Sequence, residues 1–131
     1  MTFVDSSGWF ALYVMKDPNH ALACQWVLAN RSLLVTTDDV IDETLTLLRA
    51  RGQRNIALEF GRDMLELGVA KVHFVGKAEV DAAWTVFRKF DDKDWSFTDC
   101  TSKVVIDQLG IRTAFAFDHH FRQFGTVAVV P

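Results

Sequence analysis

The sequence predicts an α/β fold, with a central and mostly parallel sheet of five strands flanked by helices. Short runs rich in β-branched and aromatic residues alternate with longer stretches of helical periodicity from one end of the chain to the other. This alternation is typical of strands that are joined by crossover helices. No linker rich in Gly, Ser or Pro interrupts it, and 131 residues of which 50% are hydrophobic suffice for one ordinary core. We therefore expect a single domain over residues 1–131.

The first half of the chain predicts two strands and four helices. The first strand is the apolar run Thr2–Val4, and the second is Leu33–Val35. Helices are expected where apolar residues recur every three or four positions. Their predicted ranges are Ser7–Val14, Asn19–Ala29, Asp38–Arg51 and Asn55–Leu67.

The second half predicts three strands, two helices and a short helical turn. The strands are Val72–Val75, Thr113–Phe117 and Val127–Val130. The helices are Lys77–Phe90 and Thr98–Leu109, and the turn is His119–Phe124. The helix that begins at Thr98 is apolar on nearly every side, so its first turn is expected near the centre of the domain.

The net charge limits the kinds of partner that the chain can bind. Its value is −3 at neutral pH. This argues against a protein that holds nucleic acid through a broad basic surface, because such binding needs many phosphate contacts by Lys and Arg. If the protein binds RNA, something else must supply positive charge.

The cysteines and the amino terminus indicate the cellular setting. Cys24 and Cys100 lie far apart with no CxxC or Cys/His grouping, so we expect small buried thiols instead of a zinc site or a disulfide. Met1 leads directly into the first strand without a signal peptide, and no apolar run reaches membrane-spanning length. The prediction is a cytoplasmic protein without a membrane partner.

Two aspartates follow strands of the predicted sheet. Asp5 follows the first strand, and Asp118 follows Phe117 at the end of a later one. Ligands of open α/β sheets bind beyond the carboxyl ends of the strands, so both side chains are expected at the edge where ligands bind. Taken singly, each aspartate also suits the N-cap of the next helix, which is the more frequent role for an isolated Asp.

Two further acids are expected near the same edge. Asp99 lies in the first turn of the buried helix, where Thr98 is the expected N-cap and the helix dipole also favours a carboxylate. Glu43 lies beside Leu47 on the helical wheel, so it borders the core. It could equally be a rim glutamate paired with an arginine. The remaining nearby acids, which we assign to a solvated first turn, are Asp38, Asp39 and Asp42.

Convergence of these carboxylates would require a cation. Two unit charges about 4 Å apart repel by about 1 kcal/mol in water and by about 4 kcal/mol at an effective dielectric of 20. Oxygen ligands favour Mg²⁺ or Mn²⁺ over zinc, and such an ion can activate water for attack on phosphorus. The predicted reaction is phosphodiester hydrolysis. The predicted catalytic and metal-binding residues are Asp5, Glu43, Asp99 and Asp118.

Four ordered motifs together resemble the PIN domain family, and within it the toxins of the VapC type. These motifs are Val4-Asp5-Ser6-Ser7-Gly8-Trp9, Thr36-Thr37 with the following Glu43, Ser96-Phe97-Thr98-Asp99-Cys100-Thr101-Ser102 and Phe117-Asp118-His119-His120-Phe121. The resemblance runs from the first strand to the last and covers essentially the whole chain. Each motif alone is weak, whereas the ordered set is specific.

The resemblance implies a metal-dependent endoribonuclease that forms a homodimer and is neutralised by a cognate antitoxin. It implies that Asp5, Glu43 and Asp99 are the core acids and that Asp118 assists metal binding. Ser6 and Thr98 match small hydroxyl positions that orient a carboxylate or hold a water. Ala116 stands where many relatives carry Thr, which is not expected to affect metal binding.

Three other classes of protein share part of this pattern. A phosphoacceptor receiver domain would need adjacent acids after the first strand and a lysine after a late one, but Asp5 is followed by Ser6-Ser7 and residues 125–131 contain no lysine. A catalytically silent PIN-fold binding module and a DNA structure-specific nuclease stay open. Retention of all four acids counts against the former, and the short chain counts against the latter.

Several other residues have a structural interpretation that is favoured over a functional one. His119 and His120 are expected to be surface or capping residues. The positive charges at the end of the third predicted helix suit its dipole, although they could also contact RNA; they are Arg49, Arg51 and Arg54. The four tryptophans are expected in the core, with Trp9 nearest the site; the others are Trp26, Trp84 and Trp95.

Overall fold

The sheet consists of five short strands that are all paired in parallel. The computed structural model describes all 131 residues. Its strands are β1 (Thr2–Val4), β2 (Leu34–Thr37), β3 (Lys71–His73), β4 (Thr113–Phe115) and β5 (Ala128–Val130). Their order across the sheet is β3-β2-β1-β4-β5. The central strand β1 pairs with β2 through Phe3 and Val35, and with β4 through Phe3 and Ala114.

Seven helices connect and surround these strands. They are α1 (Ser6–Tyr13), α2 (His20–Ala29), α3 (Asp38–Ala50), α4 (Arg54–Leu65), α5 (Lys77–Lys89), α6 (Phe97–Leu109) and α7 (His120–Gln123). α3 packs against α1, α4 and α6, while α5 packs mainly against α6. None of the helices is long and apolar enough to cross a membrane.

The prediction of an α/β fold with a central five-stranded sheet is confirmed, and every predicted strand and helix is present. The predicted ends of β2, β3 and β4 each differ from the observed ends by two residues. The error that affects the site is at β4, which was predicted to continue to Phe117 but ends at Phe115. The backbone N–H of Ala116 still bonds to Val130, but the N–H of Phe117 donates to the Ser7 hydroxyl instead of to a strand. The chain therefore leaves the sheet before Asp118.

One glycine allows α1 to lie directly against β4. A Cβ atom built on Gly8 would lie 2.5 Å from Cδ1 of Phe115 and 2.7 Å from its carbonyl oxygen. Real Cβ atoms do not approach other atoms so closely, so only glycine fits at this crossing. The contact brings the first turn of α1 next to the segment that follows β4.

The aromatic residues divide between the core and the surface. Phe3, Trp9, Phe60 and Phe115 are fully buried, and the indole N–H of Trp9 donates to the Thr36 hydroxyl on β2 at 3.2 Å. The prediction of a core position is wrong for Trp84, which is 51% exposed. α5 buries only Ala83, so the neighbouring face of the helix stays in solvent, where Trp84 stacks on Phe87.

Candidate active site

Asp5, the most deeply buried acid of the protein, lies between β1 and α1. Its side chain is 2% exposed, and one oxygen, Oδ2, accepts hydrogen bonds from the backbone N–H of Ser7 at 3.2 Å and from the Ser7 hydroxyl at 2.8 Å. Asp5 is therefore the N-cap of α1, which is the structural role that was expected for an isolated aspartate at this position. Its other oxygen, Oδ1, is buried and has no hydrogen-bond partner.

Ser7 joins this cap to the segment after β4. Its oxygen accepts the backbone N–H of Phe117 at 3.0 Å and that of Asp118 at 3.2 Å, while its hydroxyl donates to Asp5. A single side chain thus fixes the distance between two acidic segments that lie far apart in the sequence. Ser7 was not among the predicted site residues.

Glu43 reaches the site from α3. Thr37 caps this helix, because its hydroxyl oxygen accepts the N–H of Val40 at 3.1 Å. One turn later Glu43 is half-buried, as predicted from its place on the wheel, and its Oε1 accepts a hydrogen bond from the Ser6 hydroxyl. Ser6 therefore orients a carboxylate, which is one of the two roles that the family resemblance implied for it.

Asp99 lies in the first turn of α6, but Thr98 is not the cap of this helix. The cap is Ser96, whose hydroxyl oxygen accepts the N–H of Asp99 at 3.0 Å, while Asp99 Oδ2 accepts the N–H of Ser96 at 2.9 Å. This reciprocal capping box starts the helix one residue earlier than predicted. Thr98 is half-buried beside Asp99.

Asp118 and His120 complete the cluster. Nδ1 of His120 lies 2.9 Å from Asp99 Oδ2 and 3.3 Å from Asp118 Oδ1. The same Asp118 oxygen accepts the backbone N–H of His120 at 2.9 Å. His119 and His120 were both expected to be surface or capping residues. The surface alternative is wrong for His120, since its side chain is only 15% exposed, whereas that of His119 is 75% exposed.

The four predicted acids lie close enough to influence one another's ionisation. Burial raises the pKa of Asp5 to about 7, and repulsion from Asp99 and Glu43 adds to this shift. Burial also raises the pKa of Glu43, with further repulsion from Asp99 and Asp118, while the Ser6 and Thr98 hydroxyls favour its ionised form. Burial raises the pKa of Asp99 as well, although Ser96 and His120 oppose that shift.

The donor set fits a divalent cation that prefers oxygen. A buried carboxylate oxygen without any partner costs free energy unless something neutralises it, and Asp5 Oδ1 is such an atom. The repulsion among Asp5, Glu43, Asp99 and Asp118 would be relieved by the same positive charge. Carboxylate oxygens suit Mg²⁺ or Mn²⁺. The residues that could hold the ion are therefore these four acids.

Two acids that were assigned to a solvated turn have structural contacts instead. Asp38 Oδ1 accepts the backbone N–H of Val75 at 2.8 Å, which ties α3 to the segment after β3. Asp39 is half-buried, and burial raises its pKa while Thr101 favours its ionised form. Asp42 is exposed, as predicted.

Comparison with known proteins decides the family. The PIN domain family matches this chain over residues 2–127. The chain belongs to the PIN domain family. Among its relatives is the 23S rRNA-specific endonuclease VapC20 of Mycobacterium tuberculosis, which is 34% identical over the whole chain and 99% of its own length. The VapC ribonuclease of Archaeoglobus fulgidus is 28% identical over 90% of this chain and 77% of its own length.

Solved structures agree with this assignment. The crystal structure of VapC20 from Mycobacterium tuberculosis, described as a sarcin–ricin loop cleaving toxin, superposes with a TM-score of 0.93 at 33% identity and full coverage of both chains. FitAcB from Neisseria gonorrhoeae superposes with a TM-score of 0.72 over the whole of this chain and 97% of its own, at 14% identity. The latter shows a shared fold only. The resemblance to VapC-type PIN proteins is thus confirmed.

Proposed function

We propose that this PIN-family protein is an endoribonuclease that depends on Mg²⁺ or Mn²⁺ and forms the toxin of a toxin–antitoxin pair. The observation that carries the proposal is the unpartnered, buried Oδ1 of Asp5 within a group of mutually repelling carboxylates. RNA is the substrate class because the VapC relatives are named as RNA-cleaving enzymes. Phosphodiester hydrolysis also agrees with the chemistry of the donor set.

The roles of the residues follow from their positions. Asp5, Glu43, Asp99 and Asp118 would hold the cation, which when bound supplies a Lewis acid for the phosphate and lowers the pKa of water. Oδ2 of Asp5 is held by Ser7, so Oδ1 keeps a fixed direction without any reorganisation. The Ser6 hydroxyl holds Glu43 in the same way.

His120 is a positioning residue in this proposal. Its Nδ1 lies near both Asp99 and Asp118, so it links the carboxylate on α6 with the one after β4. Capping by Ser96 and contact with His120 both involve Oδ2 of Asp99. Its second oxygen is therefore the one that is left for the cation.

The partners in this proposal are an RNA, a cognate antitoxin protein and a second copy of the chain. VapC20 of Mycobacterium tuberculosis is 34% identical and is named for action on 23S rRNA. A stem-loop with the sarcin–ricin sequence is therefore the first substrate to test. The antitoxin and the homodimer rest on membership of the VapC group.

The test is incubation of the purified protein with end-labelled RNA. The substrates are a sarcin–ricin stem-loop, a mixed RNA pool and a DNA stem-loop of the same sequence, each with Mg²⁺, Mn²⁺ or EDTA. Cleavage of RNA but not DNA, with the metal and not with EDTA, is the expected result. Cleavage of DNA alone would favour a DNA structure-specific nuclease. A folded protein that binds Mn²⁺ but cuts neither nucleic acid would favour a catalytically silent binding module.

A further inference from the structure

A cavity of about 460 Å³ opens directly beside the acidic site. Ser7, Asp118 and His120 line this cavity and also belong to the acidic site, so the two spaces adjoin. Its size is within the range of small-molecule binding pockets, which extends from roughly 300 to 1,000 Å³. The roles proposed for the four acids leave this cavity without a function.

Arg51 supplies a positive charge to this cavity. It is the C-cap residue that follows α3, and its backbone N–H bonds to the carbonyl of Leu47 at 3.0 Å, which fixes the backbone at this position. The ion pairs of the protein are made by lysine and histidine, and none involves an arginine. The guanidinium of Arg51 is thus free to bind an external anion.

Two carboxylates also line the cavity, but neither pairs with Arg51. Asp118 is directed toward His120, and Asp17 accepts the backbone N–H of Asn19 at 2.8 Å. Both carboxylates therefore already have partners within their own segments. A guanidinium with five N–H donors matches a phosphate group in geometry, and it is the side chain most suited to bidentate phosphate binding.

The rest of the lining suits a nucleobase. Phe10, Leu47 and Phe117 are the apolar residues of the lining, and Asn19 adds an amide that can exchange hydrogen bonds. Aromatic side chains stack on bases of any sequence when these are unpaired. A base that lies within a duplex cannot enter such a cavity without leaving its stack.

We infer that this cavity is a nucleotide subsite of the nuclease. In it Arg51 binds the phosphate next to the one that is cut, and Phe10 and Phe117 contact an unpaired base. The inference rests on the proposed function, which it deepens by naming unpaired RNA as the substrate at this position. In this inference a chain with a net charge of −3 binds RNA through a local positive charge, the guanidinium of Arg51, and does not need a broad basic surface.

Arg51 has a competing role as a cation at the carboxyl end of α3, where it complements the helix dipole. That role predicts a small loss of stability on substitution and no effect on RNA binding. The salt dependence of binding separates the two roles, because each phosphate contact with single-stranded nucleic acid contributes about 0.7 to the slope of log K against log salt.

The test measures binding of a short fluorescent single-stranded RNA to the Asp99→Asn protein in Mg²⁺, which prevents cleavage. Arg51→Ala in this background is expected to weaken binding roughly tenfold and to reduce the salt slope by about 0.7, while Arg51→Lys keeps the slope. The matched control is Arg112→Ala. Arg112 is exposed and immediately precedes β4, at the opposite edge of the sheet. Arg112→Ala is expected to bind within about twofold of the parent.

Cleavage by the otherwise unmodified protein is measured in parallel. If the enzyme cuts RNA and Arg51→Ala raises KM with little change in kcat, the subsite is supported. If the enzyme cuts RNA but Arg51→Ala binds and cuts like Arg112→Ala, the subsite is wrong and the proposed function stands. If Arg51→Ala weakens RNA binding but the unsubstituted protein never cuts RNA, the proposed function fails while the cavity is still an RNA-binding site.

Discussion

The Ser7 hydroxyl donates to Oδ2 of Asp5 at 2.8 Å, while Oγ of Ser7 accepts the backbone N–H of Phe117 at 3.0 Å. This one contact joins the carboxylate at the start of α1 to the segment that carries Asp118. Because Ser7 binds Oδ2, Oδ1 is the carboxylate oxygen of Asp5 that has no hydrogen-bond partner. The geometry of the site therefore depends on a side chain that need not touch the substrate.

Ser7→Ala is expected to destabilise the protein and to weaken cleavage. The substitution removes a partner from Asp5 and leaves the N–H groups of Phe117 and Asp118 without their acceptor, which costs about 1–3 kcal/mol for buried polar groups. Urea unfolding in EDTA measures this loss. Thr85→Ala is the control, because the exposed Thr85 hydroxyl only donates to the carbonyl of Asp81. Equal unfolding free energies for the two variants would contradict the role of Ser7.

The metal-free protein is expected to lose stability as the pH rises from about 4 to about 7. Burial raises the pKa of Asp5 to about 7, so in this window the folded protein keeps a proton that the unfolded chain has released. Stability therefore falls with rising pH, by at most about 1.4 kcal/mol per pH unit from this group. Above pH 7 the Asp5 carboxyl is ionised in both the folded and the unfolded chain. The folded protein then bears the full cost of the buried charge, and this group causes no further change in stability.

Asp5→Asn isolates this contribution. The variant is expected to gain stability relative to the parent as the pH rises from 5 to 8, because the buried charge is no longer formed. Thermal unfolding in EDTA at several pH values measures the difference, and Asp94→Asn, which alters an exposed acid, is the control. A constant difference between the Asp5→Asn variant and the parent across this range would contradict the assignment.

Added Mn²⁺ is expected to stabilise the protein more at pH 8 than at pH 6. Binding requires ionised carboxylates, so the ion must displace the proton from Asp5 below its raised pKa of about 7. At a concentration of 100 times Kd the ion would add about 2.7 kcal/mol. Differential scanning calorimetry measures the change in Tm. If Mn²⁺ raised the Tm of the Asp99→Asn variant as much as that of the parent at both pH values, the ion would bind elsewhere.

Gly8→Ala is expected to destabilise the protein by roughly 1–3 kcal/mol or more, since the new methyl group would overlap the ring and carbonyl of Phe115. α1 would have to move away from β4, and cleavage should fall with stability. Gly61→Ala is the matched control, because its Cβ would lie 3.5 Å from Leu45 within a helix. Alanine is expected to be neutral or stabilising there. Similar unfolding free energies for both variants would show that α1 has room to adjust.

The sequence predicted the sheet and the acids because these depend on local patterns. Apolar runs identified each strand, and the repeated aspartate after β1 and near the end of β4 indicated a shared edge. The helical wheel placed Glu43 at the border of the core, and the family resemblance assigned it to the site. These features require only periodicity and the rule that parallel strands end at one edge.

The remaining features depend on contacts between distant parts of the chain. Ser7 bonds to a backbone group 110 residues away, and His120 meets Asp99 across 21 residues, so neither contact has a local pattern. The end of β4 was predicted incorrectly for the same reason. A second serine after Asp5 and a second histidine after Asp118 were the available signals, but each is equally typical of a helix terminus.

The most direct test of the acidic site compares RNA cleavage by the parent protein with cleavage by Asp5→Asn and Asp99→Asn, at matched folded concentration in Mg²⁺. Asp94→Asn serves as the control for loss of one negative charge at an exposed position. We expect both site variants to lose cleavage by a factor of at least about 100 while the control cuts like the parent. Cleavage by either site variant at the parental rate would contradict a catalytic centre built on these carboxylates.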